Sequence, residues 1–257
     1  MNFSQQNPSF SSKIGIDSLD LAKILCYPRV SDLEYISRLH EIHSLGVNAI
    51  LSTGTTKIGK ISIAGKGCVS LVVKAEVNNK ICALKIRRTD ANRITMKREV
   101  AFHRIANSAK VGPILIDHSD NLIAMDFIDG WSIIDWVRQP GITRHNVRNV
   151  VSRTLEQCYN LDRAHIDHGQ LSCLDHHVII SKSGNPIIID FESSSTQRKT
   201  SNVTAAAQSL FLSGIVSKRV NWALHLPKRE EIIQMLKIYK RGQTRDNLER
   251  IMQLVLI

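Results

Sequence analysis

Long apolar runs are missing from this 257-residue chain: stretches such as Pro186 to Ile189 are far too short to cross a bilayer, so no helical membrane span is expected. Aromatic residues make up only 5%, and no basic stretch carries the interleaved aromatics of RNA-recognition motifs. The five cysteines, Cys26, Cys68, Cys82, Cys158 and Cys173, are scattered and form no CxxC pair, which argues against a zinc site and against a disulfide framework. No internal repeat is visible. The opening MNFSQQNPSFSSK lacks the apolar stretch of a secretory signal. A cytoplasmic protein without a membrane partner is expected, with residues 1–16 as a mobile tail.

An apolar fraction of 43% is enough for a core, and the length suits one large domain or two small lobes with a short extension. The formal net charge is +11, from 34 Lys and Arg against 23 Asp and Glu. Such an excess favours acidic partners (nucleotides, nucleic acid or an acidic protein) or simply makes a basic, solvated surface.

Two helices are expected within residues 17–47. Leu19, Leu21, Ile24 and Leu25 line the first, which Pro28 ends. Ser31 with Glu34 reads as a capping box for the second, whose apolar face would be Leu33, Ile36, Leu39 and Ile42, with Gly46 as its stop. Such a pair either packs on its neighbour or forms a nucleic-acid-binding helix-turn-helix. Strand patterns follow from Asn48 to Arg88. Within them, Gly65, Gly67 and Ser70 form a glycine turn between strands, where backbone N–H groups could approach phosphate oxygens. After a turn at Asn78-Asn79-Lys80, Lys85 stands alone in an apolar strand; it is either functional or an edge lysine reaching solvent. A helix over 90–108, capped by Asp90, would bury Ile94, Val100, Ala101 and Ile105, and would carry Glu99 fourteen residues beyond Lys85. A hairpin spans 114–128, and Asp129-Gly130 breaks it. Helices are expected at 131–138, 144–165 (buried face Val147, Val150, Val151, Leu155, Cys158 and Leu161) and about 203–213, with a basic helical end over 228–256.

The stretch Ile166 to Glu192 combines a loop carrying His168-Gly169-Gln170, a strand Val178–Ile180, a turn over Lys182–Asn185 and a strand from Pro186 to Ile189 that ends in Asp190. A carboxylate at the end of an apolar strand must face a cation, a cleft or solvent, because burying it alone is costly.

A glycine turn, an in-strand lysine, a helix glutamate, a His-Gly loop and a strand ending in Asp-Phe occur here in the order of the protein-kinase signature set. Over about residues 60–215 the chain resembles the small atypical protein kinases of the RIO and Kae-associated type, and among them the archaeal predicted serine/threonine kinases. The resemblance implies an α+β, bilobal, protein-kinase-like fold: an antiparallel-sheet N-lobe at 48–128, a mainly helical C-lobe at 129–257, and the N-terminal helices as an extension. It further implies that ATP and magnesium (or manganese) are cofactors. Gly65, Gly67 and Ser70 would cover the phosphates, Lys85 would bind them while held by Glu99, Met125, Asp126, Phe127 and Ile128 would receive adenine, and Asp190 would chelate the metal.

Three departures from the family pattern stand out. Gln170 occupies the place of the catalytic Asp and cannot take a proton, though an amide can orient a nucleophile. The second metal-binding position falls to Asp175 by spacing or to His177 by its place before the strand. Glu192 replaces a glycine, and Asp167, beside the loop, could substitute as the base. No long activation segment is present. The expected function is phosphorylation of the protein itself or of a protein serine or threonine; the alternatives are a nucleotide-binding pseudokinase and a small-molecule kinase.

Overall fold

The computed structural model describes residues 13–15 and 18–256. The chain is α+β and divides into two compact units, the first within Met1–Val100 and Ile114–Phe127, the second within Ala101–Pro113 and Ile128–Ile257. Ala101–Pro113 therefore groups with the C-terminal unit, although sequence order alone put it in the 48–128 lobe. Of the expected tail, residues 1–12 and 16 lie outside the described residues, whereas Lys13–Gly15 form a strand, β1, paired with Leu51, Ile50 and Ala49.

The first unit is built on an antiparallel sheet. Its strands are β1, β2 (Val47–Leu51), β5 (Gly65–Lys66), β6 (Ser70–Val77), β7 (Lys80–Arg87), β8 (Leu115–His118) and β9 (Leu122–Asp126). Their order is β1-β2-β6-β7-β9-β8, with β5 also on β6; β3 (Thr56–Ile58) and β4 (Ile61–Ile63) form a separate ribbon. β6 and β7 join through Asn78 and Asn79, at φ 48° and 64°, the left-handed pair that a two-residue hairpin turn needs and that asparagine tolerates. β6 alternates along its length, but Cys82 to Ile86 of β7 are all buried, because that strand lies between β6 and β9 and is covered on both faces.

Helices α1 (Leu19–Leu25) and α2 (Asp32–Ser44) pack on this sheet. Leu21, Ile24 and Leu25 are buried as expected; the side chain of Leu19 lies outside the description. On α2 the expected face holds in part: Ile42 is buried and Leu39 packs against the core. Leu33 and Ile36 are 84% and 54% exposed, while Arg38 is, unexpectedly, fully buried. Arg38 explains the rotation. Its Nε meets Glu34 Oε1 at 2.7 Å, and its Nη1 donates to the carbonyls of Leu25 and Arg87, so helix orientation follows a buried charge network. Glu34 is thereby engaged, and Ser31 caps the helix without a side-chain hydrogen bond. Glu41 accepts from the Asn121 N–H at 2.9 Å, fastening the other end of α2 to the β8–β9 turn.

The helix expected at 90–108 is shorter: α3 is Lys97–Ser108. The preceding backbone is taken by other partners, with Met96 N–H donating to Asp120 and Arg87 donating to the Arg93 carbonyl. Asp90 pairs with Arg88 and caps nothing. Ile94 is 90% exposed and Ala101 is exposed, whereas Val100 is buried.

The second unit is mainly helical. The three-stranded sheet β10 (Gly130–Ser132), β11 (Val178–Ser181) and β12 (Pro186–Ile188) is antiparallel. The helix expected at 131–138 contracts to α4 (Ile133–Trp136) because Gly130–Ser132 pair with β11. α5 (Arg144–Arg163) opens on a reciprocal cap between Thr143 and Asn146 and buries all six expected residues. α6 (Asn202–Ala207) runs into a π-helical stretch over Gln208–Leu212. The basic end is two helices, α8 (Arg229–Arg241) and α9 (Arg245–Val255), broken at Gly242, and α7 (Gly214–Leu224), which the sequence pattern did not suggest, precedes them.

Candidate functional site

Each unit carries part of the expected constellation. In the first, Lys85 lies mid-strand in β7, opposite Val72 on one side and Ile123 on the other. It is 4% exposed, and its Nζ is 2.5 Å from Oε1 of Glu99, itself 3% exposed. Lys85 is thus no edge lysine, and Glu99, in the first turn of α3, is no surface acid.

The glycine turn closes with Gly67 N–H donating to the Ser70 carbonyl at 2.8 Å, and Arg88 Nη1 donates to the Gly67 carbonyl, also at 2.8 Å. A Cβ at Gly65 would meet Val72 at 3.8 Å and one at Gly67 would meet Ser70 O at 3.5 Å, ordinary contacts, so packing within the chain does not demand either glycine. Ser70 is buried at the start of β6. Tyr27, at the end of α1, lies beneath Lys66 and Arg88, which stand 4.8 and 5.2 Å from its ring centre. Met125 and Asp126 end β9, and Phe127 and Ile128 continue without regular structure; Lys74 Nζ lies 4.7 Å from the Phe127 ring centre.

In the second unit the loop from Asp167 to Gln170 is held from several sides. Asp167 and Ser195 exchange two backbone hydrogen bonds of 2.9 Å. The Asp167 carboxylate accepts from Arg198 Nε at 2.8 Å and from Ser201 Oγ at 3.3 Å. It is committed to this ion pair, which counts against its use as a base. Gly169 has φ 86°, and a Cβ there would lie 2.9 Å from the Ser193 carbonyl oxygen, so the backbone itself requires glycine here. Gln170 is half-buried, and its Oε1 is buried without a hydrogen-bond partner among the described residues.

His168 is fully buried. Its N–H donates to Asn202 Oδ1 at 2.9 Å, and its Nε2 lies 3.0 Å from the Ile189 carbonyl. Burial pushes its pKa down to about 4, against the opposing pull of that carbonyl. The ring is therefore neutral near pH 7, and a carbonyl partner selects the tautomer with the proton on Nε2. Phe191, 1% exposed, stacks edge-on to His168 at 5.5 Å and tilted against His103 at 5.3 Å.

Asp190 follows β12 at φ 71°, a left-handed position that costs a non-glycine residue of order 1–3 kcal/mol and that clusters at functional sites. Carboxylate oxygens of Asp190 and Glu192 lie within 4.8 Å of each other, and such hard oxygen donors suit a magnesium ion. Asp175 sits half-buried in a 3₁₀ turn, Leu174–His176. His177 follows, its carbonyl accepting from Ile189 N–H at 2.9 Å, one residue from Asp190, and its ring edge-on to His168. Neither joins a group of three close donors among the described residues. A cavity of about 450 Å³ opens beside the loop, lined by Gly169, Leu171, Ser172, Arg198 and Ser201.

Three residues that hold this loop carry no local sequence signal: Arg198, Asn202 and Asp162. Asp162, 2% exposed, accepts from Asn202 N, Asn202 Nδ2, Val203 N and the Tyr239 hydroxyl. It caps α6 from outside the helix, and Asn202 in turn holds His168.

Compared with models of known protein families and with curated proteins, the chain matches none.

Proposed function

We propose that the protein is an ATP- and magnesium-dependent phosphotransferase of the atypical, RIO-like class, acting on itself or on a protein serine or threonine. The observation that carries this reading is the Lys85–Glu99 pair. A buried ion pair is at best weakly stabilising, and an apolar pair of similar size would serve the fold as well or better. A buried lysine in the central strand held by a helix glutamate is better explained by a task, and binding phosphate is the task a buried, oriented ammonium performs. In this reading the two units correspond to the sheet-rich and helical lobes of that family. Gly65 and Gly67, which packing does not require, keep the turn free of side chains that would hold phosphate oxygens away. Asp190, with Glu192, would hold magnesium, which would neutralise charge on the transferred phosphoryl group. Gln170 would position the acceptor hydroxyl through its amide.

A second reading, nucleotide binding without transfer, is favoured by one observation: Gln170 cannot act as a base and Asp167 is locked to Arg198. Incubation with γ-labelled ATP and magnesium or manganese separates the two. Label transferred by the protein and lost in both Lys85→Ala and Asp190→Ala supports the kinase. ATP that raises the melting temperature without transfer or hydrolysis supports the second reading. No ATP binding overturns both.

A further inference from the structure

We propose that the outer face of α7, with the start of α5, binds single-stranded nucleic acid by stacking a base on Trp222. The spacing of Ile215, Lys218, Arg219 and Trp222 puts them on one side of α7, while Val216, Val220, Ala223 and Leu224 are buried on the other. Trp222 is 64% exposed, although tryptophan is on average highly buried. It is also held. The Arg219 guanidinium lies 4.3 Å from its ring centre, and Arg219 Nη2 donates to the Ile142 carbonyl at 3.1 Å. The indole is thus a preorganised platform, braced by an arginine that is itself anchored.

The Arg219–Ile142 bond joins two stretches without acid. No Asp or Glu occurs from Ser193 to Arg229 or from Trp136 to Leu155, and Glu230 and Glu231 are the first acids after α7. Arg144 and Arg148, on the first turns of α5, are exposed beside Ile142. A fixed aromatic ring set among cations of one sign is the combination that single strands use: bases stack on the ring and phosphates follow the charge. A duplex keeps its bases stacked and gains only the charge term. An anionic membrane fits less well, because the apolar side of α7 faces the core and leaves little apolar surface to insert. This surface stands or falls independently of the kinase reading.

The test uses the full chain with labelled oligouridylate, oligothymidylate, a duplex of the same length, and vesicles containing anionic lipid. The expected result is binding of a single strand at about 50 mM salt with quenching of tryptophan fluorescence. Preference between the two oligonucleotides assigns the strand to RNA or DNA. Trp222→Ala, checked by circular dichroism for an unchanged fold, weakens binding by roughly tenfold or more. Lys218→Gln combined with Arg148→Gln lowers the slope of log K against log salt by about 1.4, since each phosphate contact on a single strand contributes about 0.7. The proposal is overturned by no single-strand binding at low salt, by equal binding of the duplex, by affinity unchanged in Trp222→Ala, or by vesicle binding without oligonucleotide binding.

Discussion

Replacing Asp162 tests whether one buried carboxylate holds the His168 loop. The Asp162→Ala variant leaves three buried donors without their acceptor: Asn202 N–H, Val203 N–H and the Tyr239 hydroxyl, which now lie at 2.9, 3.2 and 3.0 Å. Asn202 Nδ2 keeps its bond to the Ile166 carbonyl. Each buried group left unpaired costs about 1–3 kcal/mol. Removing the carboxylate also relieves its own desolvation, the main cause of its raised pKa. The net expectation is a loss of about 3–5 kcal/mol, or a fall in melting temperature of about 6–20 °C at ~2–4 °C per kcal/mol. Asp162→Asn retains a carbonyl oxygen for Asn202 but presents an amide where Val203 N–H needs an acceptor, so it should lose only about 1–2 kcal/mol. Because burial raises the pKa of Asp162, the folded state binds more protons than the unfolded state between the ordinary carboxylate range and the raised value. Stability from this group is present at low pH and lost as pH rises through that window, and Asp162→Asn should abolish the effect. Urea unfolding followed by circular dichroism, at several pH values, measures both quantities. An alanine variant within about 1 kcal/mol of the parent would show that the cap is dispensable or replaced by solvent, and would refute the reasoning.

His168 predicts the opposite pH response. With a folded pKa of about 4 against an ordinary 6.5, the unfolded state binds more protons between those values, so stability is lost as pH falls through that window. The full effect is about 3 kcal/mol at 1.36 kcal/mol per pH unit; unfolding of His168→Gln at pH 7 and at acid pH should show a correspondingly smaller difference, and equal differences would contradict the assignment. For the ion pair, Lys85→Met or Glu99→Leu alone should cost about 3–5 kcal/mol, whereas the two together should cost less than either. Additive losses in this double-mutant cycle would mean that the two charges are not coupled.

Much of the local structure was legible in residue order. The spacing of Val147, Val150, Val151, Leu155, Cys158 and Leu161 defines the buried face of α5, and Asn78-Asn79 and the turn before Pro186 mark their hairpins, because side-chain periodicity and turn chemistry act over a few residues. The same reasoning singled out Lys85, Glu99, Gln170 and Asp190 without deciding which are buried. β7 becomes an interior strand because β9, some forty residues later, pairs along its open side, and buried Lys85 meets its partner Glu99 on α3. On α2 the hydrophobic period places Leu39 and Ile42 but misplaces Leu33 and Ile36, because Arg38 finds its acceptors on Leu25 and on Arg87, 49 residues away. The span from Asp162 through Asn202 to His168 is likewise invisible in sequence, since it joins residues 34 to 40 positions apart. Local patterns determined most of the helices, strands and turns, though not α7 or the strand Gly130–Ser132, which depends on pairing with β11. Tertiary structure alone decided which charges entered the interior, because burying a charge requires partners that only the folded chain brings within hydrogen-bonding distance.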